Sequence, residues 1–236
     1  MRVRVPHPWN VSPREAMAIQ LQLRARLRLD GGRPFATVAG IDVSYDQASN
    51  LMFAGVVVMS GDARHVLETV TTSVRPRFPY IPGLLSFRET PAVIEAWTKL
   101  KTRPDCLICD GHGLAHPRRF GIACHLGLLL NLPSIGCAKS LLVGTHRTPP
   151  KRRGSVEPLL DRGEQIGAVV RTRHGVAPVY VSQGDRISLD AAVQTVLGVF
   201  AGYRLPEPTR RAHLLVNEAR RLAKAGTRPI LERGGR

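Results

Sequence analysis

Apolar and polar positions along the chain change period repeatedly, and each change marks an architectural boundary. "SPREAMAIQLQLRARLRL" opens with Ser12, Pro13 and Glu15. That is a capping box with proline at the first helical position, which predicts a helix over residues 12–29. Three β-type stretches follow, "ATVAGIDVSY", "LMFAGVVVMS" and "HVLETVTTSV". Short turn-rich joints at 47–50 and 60–63 predict an antiparallel meander. Thr90–Pro91 then predicts the start of a helix running to about Lys101. Beyond it the period alternates: "CLICD" reads as a short buried strand, "RRFGIACHLGLLLN" as a helix and "PSIGCA" as a second buried strand. Such alternation predicts parallel strands joined by crossovers. "EQIGAVVRTR" and "APVYVS" predict a hairpin through His174–Gly175, and "SLDAAVQTVLGVF" and "PTRRAHLLVNEARRLAKAG" predict two helices, the second ending at Gly226.

Three antiparallel strands, then strands alternating with helices, predict one mixed α/β sheet flanked by helices. This order resembles the ribonuclease H-like fold. Without internal repeats or a low-complexity linker, residues 1–236 read as a single domain with a basic tail from about residue 224. One segment fits no regular element. In "RPRFPYIPGLLSFRE", Pro79 and Pro82 bracket Tyr80 and Ile81, fixing the backbone and removing two amide donors. The result is a stiff loop with an aromatic ring at its tip, serving either to pack inward or to insert elsewhere.

Composition turns this scaffold toward a polyanion. Hydrophobic residues make up 43% and charged residues 22% of the 236, the balance of a folded chain. Against 18 acids stand 34 Lys and Arg, a net charge of +16, which favours nucleic acid or an anionic membrane surface. No apolar run is long enough for a membrane span and "MRVRVPHPWN" lacks a signal-peptide core, so a cytoplasmic protein without membrane contact is expected. Cys106 and Cys109 form a CxxC on a strand, where residues three apart face opposite ways; all four cysteines read as small core residues. Only residues 41–100 escape the basic excess, with six acids against five bases.

Two of the acids are out of place in apolar strands. Asp42 interrupts "TVAGIDVSY" and Asp110 ends "CLICD". A buried carboxylate needs a cation, a hydrogen-bond network or a sheet edge. Open α/β sheets place their sites at the carboxyl ends of parallel strands. If the first and fourth strands are neighbours, Asp42 and Asp110 converge, and a hard cation such as Mg²⁺ reconciles them. Glu89 either adds a third carboxylate or favours the start of the helix that follows it.

The segments "GIDVSY", "PYIPGLLSFRE", "DGHGLAHPRRFGIACHLG" and "SIGCAKSLLVG", continuing through "YRLPEPTRRAH", together resemble endonuclease V, the family that cuts nucleic acid near inosine. The resemblance runs from about residue 10 to 223. It implies that Asp42 and Asp110 hold Mg²⁺ (with Mn²⁺ as a substitute), that Glu89 completes the acidic centre, and that Lys139 stands near the scissile phosphate. It implies His213 as the last ligand of the metal site. Pro79, Tyr80, Ile81 and Pro82 would be a wedge driven between stacked bases. Gly83, Leu85, Gly111, Gly113, Gly121, Ile122 and Gly136 would surround the inosine pocket, where missing side chains let a base approach the backbone. His116 belongs either to that pocket or to the local helix start; His112, His125 and His146 receive no role. The implied reaction is hydrolysis of the second phosphodiester bond 3′ to inosine, in DNA or in RNA, by a monomer that initiates DNA repair. The competing expectations are a non-catalytic basic nucleic-acid-binding module and a ribonuclease H-like excision-repair nuclease for other lesions.

Overall fold

The computed structural model describes residues 3–32 and 34–225. The predicted tail and the predicted helix end at Gly226 lie outside these residues. Strand β1 (Thr37–Asp46) is the axis on which everything else is hung. Antiparallel to it runs β2 (Leu51–Ser60), which pairs in turn with β3 (Val66–Val74), completing the predicted meander. On its other side β1 pairs in parallel with β4 (Cys106–Cys109), and β4 with β5 (Ser134–Ala138). Three further strands, β6 (Val156–Asp161), β7 (Glu164–Val170) and β8 (Val179–Gln183), complete an eight-stranded sheet in the order β3-β2-β1-β4-β5-β8-β7-β6. Helices α1 (Pro13–Arg24), α2 (Leu85–Thr98), α3 (Ile122–Leu130), α4 (Leu189–Gly198) and α5 (Glu207–Lys224) surround it.

Alternation along the central strands divides the core in two. Ala39, Ile41, Leu107 and Cys109 pack under α2 and α3, whereas Val38, Cys106 and Ile108 pack on the face that carries α4 and Ala212 of α5. The CxxC cysteines therefore face opposite ways, and all four thiols are free, buried and pushed up in pKa by that burial.

Several boundaries differ from the sequence expectation, each for a tertiary reason. Helix α1 keeps its capping box but stops at Arg24, well before Leu29. The chain beyond it is drawn off by long-range bonds: the Arg28 amide donates to Asp185 Oδ1 (2.9 Å), and the Leu29 carbonyl accepts from Gln183 (3.0 Å). Helix α2 begins at Leu85 rather than at Thr90, so Pro91 lies inside it and Glu89 is a helical residue, not a helix-starting one. Proline in that position forfeits a backbone bond to Phe87. Burial of Phe87, Val93, Ala96 and Trp97 on the inner face of α2 offsets that loss. Helix α3 is also shorter than predicted, because Gly121 in extended conformation starts it. Strand β6 had no counterpart in the sequence reading. "VEPLLD" shows no clean alternation, and its pairing depends on the turn at Arg162 and Gly163, both with positive φ.

The closest approach of α5 to the sheet is set at Gly40. A Cβ on Gly40 would lie 2.0 Å from the Pro208 carbonyl carbon, so only glycine lets α5 rest directly on β1.

Candidate active site

Because β1 and β4 are parallel neighbours with Ile41 opposite Cys109, the next residues of each meet, Asp110 just past the end of β4 and Asp42 midway along β1. The Asp110 amide donates to the Ile41 carbonyl (3.2 Å), continuing the ladder to the carboxylates. From α5, laid down on β1 at Gly40, His213 brings Nδ1 to 2.7 Å from Asp42 Oδ2. Asn217, one turn further along α5, lies 3.0 Å from the other ring nitrogen. One ligand atom from each of Asp42, Asp110 and His213 falls within 4.8 Å of the others. Lys139, just after β5, forms an ion pair with Asp110 Oδ2.

Glu89 approaches this group from α2, outside the 4.8 Å cluster but within reach of its field. Burial, then the charges of Asp42 and Asp110, push its carboxyl up to about 8. Asp42 is also raised, by burial first and by Asp110 second, with His213 opposing. Three carboxyl groups thus crowd one place, with Lys139 paired to one of them. A set of carboxylate oxygens with one imidazole suits a divalent cation, which would relieve the repulsion.

The sign of the Glu89 shift makes a test. Its ordinary value is 4.5, so between there and about 8 the folded state holds a proton that the unfolded chain releases. Stability from this group is complete below 4.5 and is lost as pH rises through 8. In EDTA, the melting temperature of the protein should therefore fall from about pH 5 to 8 more steeply than that of Glu89→Gln. Parallel curves for the two would contradict this placement of Glu89.

Beside the carboxylates lies a cavity of about 240 Å³. Gly83, Leu85, Gly111, His116, Gly121 and Ile122 line it, together with Tyr80, Ile81 and Pro82. Gly113 and Gly136 do not: they stand behind the wall, where a Cβ on Gly113 would meet the Gln183 carbonyl and one on Gly136 the Gly113 amide. Their small size serves chain packing. In the proline loop the residues divide. Phe78 is buried and Ile81 packs beside Phe87, whereas the Tyr80 ring is 70% exposed. The inward-packing alternative for Tyr80 is thereby excluded.

Five residues without a role in the sequence reading also line the cavity, Gln20, Ser86, His112, Ser140 and Leu142, and Arg118 joins them through its bond to Gln20. Gln20, only 1% exposed on the inner face of α1, donates to the Gly83 carbonyl (3.0 Å). Arg118 donates to the same oxygen (2.6 Å) and, through Nε, to Gln20 Oε1 (2.5 Å). His116 Nε2 is the third group on that oxygen, at 2.9 Å, while its Nδ1 accepts from the Arg118 amide. Burial lowers the His116 pKa to about 4, so the ring is neutral and both its nitrogens are engaged. His116 thus positions the Gly83 segment. His112 and Ser140 also line the cavity; burial holds His112 down at about 4, and its Nδ1 is buried without a partner. The overlooked signal in Gln20 is a polar residue on the buried stripe of Ala16 and Leu23.

The sheet and the converging acids define the chain as a ribonuclease H-like nuclease. The model of the endonuclease V family matches residues 17–214. The chain belongs to the endonuclease V family. The endonuclease V of Roseiflexus sp. (strain RS-1) is 53% identical over 214 residues, 90% of this chain and 96% of that protein. Among solved structures, the endonuclease V of Streptomyces avermitilis superposes with a TM-score of 0.88 at 42% identity, covering 95% of this chain and all of that one. A Ciona intestinalis endonuclease V, solved with a 23mer DNA containing an inosine followed by a ribo-adenosine, gives 0.79 at 26% identity, covering 91% and 100%. Membership in a family of nucleases sets aside the non-catalytic binding module.

Proposed function

We propose that the protein is a Mg²⁺-dependent endonuclease that recognises inosine in DNA and hydrolyses the second phosphodiester bond on its 3′ side. The observation that carries this is adjacency: Asp110 belongs to the acidic centre and the next residue, Gly111, to the wall of the cavity. The Ciona relative, solved with inosine-containing DNA, supports the same substrate.

In this reading Asp42, Asp110 and His213 hold Mg²⁺, which Mn²⁺ can replace, and Glu89 closes the acidic side from α2. A cation held by these residues would supply a water of lowered pKa and would spread the charge of the pentacoordinate phosphorus. Lys139 contributes a fixed positive charge beside Asp110, aimed at the scissile phosphate. Water attacking in line expels the 3′ oxygen, leaving 3′-hydroxyl and 5′-phosphate ends. Inosine RNA offers the same base and belongs to the substrate range.

The cavity takes the flipped base. Gly83 and Gly111 allow backbone amides and carbonyls close to it. Such a surface accepts the O6 of hypoxanthine and rejects the exocyclic amine of adenine, which would meet donors there. A base turned fully aside displaces its own backbone, so the centre acts on a phosphate further along the strand. The +16 charge supports a nucleic-acid partner, and among the described residues no helix is long and apolar enough to cross a membrane. The protein is taken to act as a monomer in the cytoplasm. Sequencing-gel mapping of the nick in a duplex with one inosine tests the proposal: a cut at the first bond, on the 5′ side, or leaving a 3′-phosphate overturns it.

Tyr80 carries a separate expectation. Tyr80→Ala should slow cleavage of duplex more than of single strands, by on the order of 1–3 kcal/mol, the range of a base–aromatic stack. Equal losses on both substrates would show that the ring does not separate strands.

A further inference from the structure

The proline loop walls two cavities, not one. Tyr80, Ile81, Pro82 and Gly83 face the base cavity, whereas Arg75, Pro76, Arg77 and Phe78 line a groove of about 510 Å³ on the other side. Helix α2 continues the division, with Leu85 and Ser86 toward the base cavity and Phe87 and Arg88 toward the groove. Trp9, from the chain preceding α1, forms part of the groove wall, edge-on to Phe87 at 6.1 Å between ring centres.

The groove is basic in a way that structure alone does not require. Arg75 and Arg77 line it, and among the described residues neither pairs with a carboxylate. Arg88 is held in place by the Phe78 carbonyl (2.6 Å) and lies 4.6 Å over the Tyr45 ring. The one acid in the lining, Glu95, is occupied by Lys99 at 3.2 Å. Three guanidinium groups around an aromatic floor suit a phosphodiester backbone with a base beside it.

We infer that this groove receives the strand of the duplex opposite the inosine. The inference rests on the function proposed above. There, the base cavity that Tyr80 walls and the acidic centre that adjoins it at Asp110–Gly111 together use the strand that carries the lesion. A tip that parts two strands leaves the second strand on its other side, where Arg75, Arg77 and Trp9 wait.

Binding in EDTA, without cleavage, tests this. Each phosphate contact contributes a salt slope of about −0.9. Losing two contacts therefore shrinks the wild type's advantage over Arg75→Ala/Arg77→Ala about twelvefold between roughly 50 and 200 mM salt. That change is expected for a duplex carrying one inosine and absent for the inosine-carrying single strand alone. Arg75→Lys/Arg77→Lys should restore the wild-type slope, since charge is what phosphate reads. In a Trp97→Phe background, where Trp9 is the remaining tryptophan, duplex should quench fluorescence and the single strand should not. Equal loss on both substrates, loss on neither, or quenching by the single strand overturns the inference. Cleavage of the inosine single strand by the double variant reports on the underlying function independently, so the two failures are told apart.

Discussion

Asp42→Ala and Asp110→Ala are each expected to abolish metal-dependent cleavage, with losses well beyond the roughly 10–100-fold that removing a supporting partner of a metal ligand costs. Both carboxylates are largely buried on neighbouring strands, and Asp42, Asp110 and His213 are the group whose ligand atoms come together, with Glu89 standing outside it. Folding should survive. Asp42 is raised in pKa partly by Asp110, so deleting one member relieves repulsion in the metal-free protein. His213 keeps Asn217 when Asp42 is removed. Nucleic-acid binding in EDTA should be retained or tightened, because a negative charge facing phosphates has been taken away while the arginines remain. Cleavage rates and gel-shift affinities measured on the same preparations decide the matter. Near-normal turnover by either variant would remove these residues from the centre.

Gly136→Ala is expected to be a severely damaging conservative change near the site. A Cβ there would lie 2.4 Å from the Gly113 amide nitrogen, 2.6 Å from the His112 carbonyl carbon and 2.7 Å from the Gly111 carbonyl oxygen. All three are backbone atoms of the segment that follows Asp110, and backbone cannot swing aside as a side chain does. Strand β5 or the segment 110–113 must shift, displacing both Asp110 and Gly111. The cost belongs at or above the upper end of the ~1–3 kcal/mol typical of overpacking. Gly198, at the end of α4 with nothing within 4 Å of its would-be Cβ, is the control. Gly198→Ala should be neutral or mildly stabilising, by up to about 1 kcal/mol. Urea midpoints for both variants, with cleavage assays, measure the contrast; an unperturbed, active Gly136→Ala would contradict the packing.

Asp42 and Asp110 could be picked out from sequence because a charged residue in an apolar strand is conspicuous and strand order fixes where its end goes. The meander and the parallel pair β4–β5 were legible for the same reason, since short joints and alternating periods are local signals. Helix α2 was misplaced because Pro91 obeys a local rule that the packing of Phe87 overrides. Gln20 and Arg118 were silent because their shared target, the Gly83 carbonyl, is 63 residues from Gln20 and has no side chain to announce it. Gly113 and Gly136 announced a close approach but not its object, and chain backbone proved to be that object rather than a cavity.

The contact of His213 with Asp42 spans 171 positions of the chain. During synthesis, β1, β4 and the Lys139 segment emerge long before α5, so a growing chain has its two aspartates but lacks the imidazole. It also lacks the helix that covers Gly40. A nascent chain on the ribosome, surrounded by RNA, is therefore without the complete cluster until α5 is made.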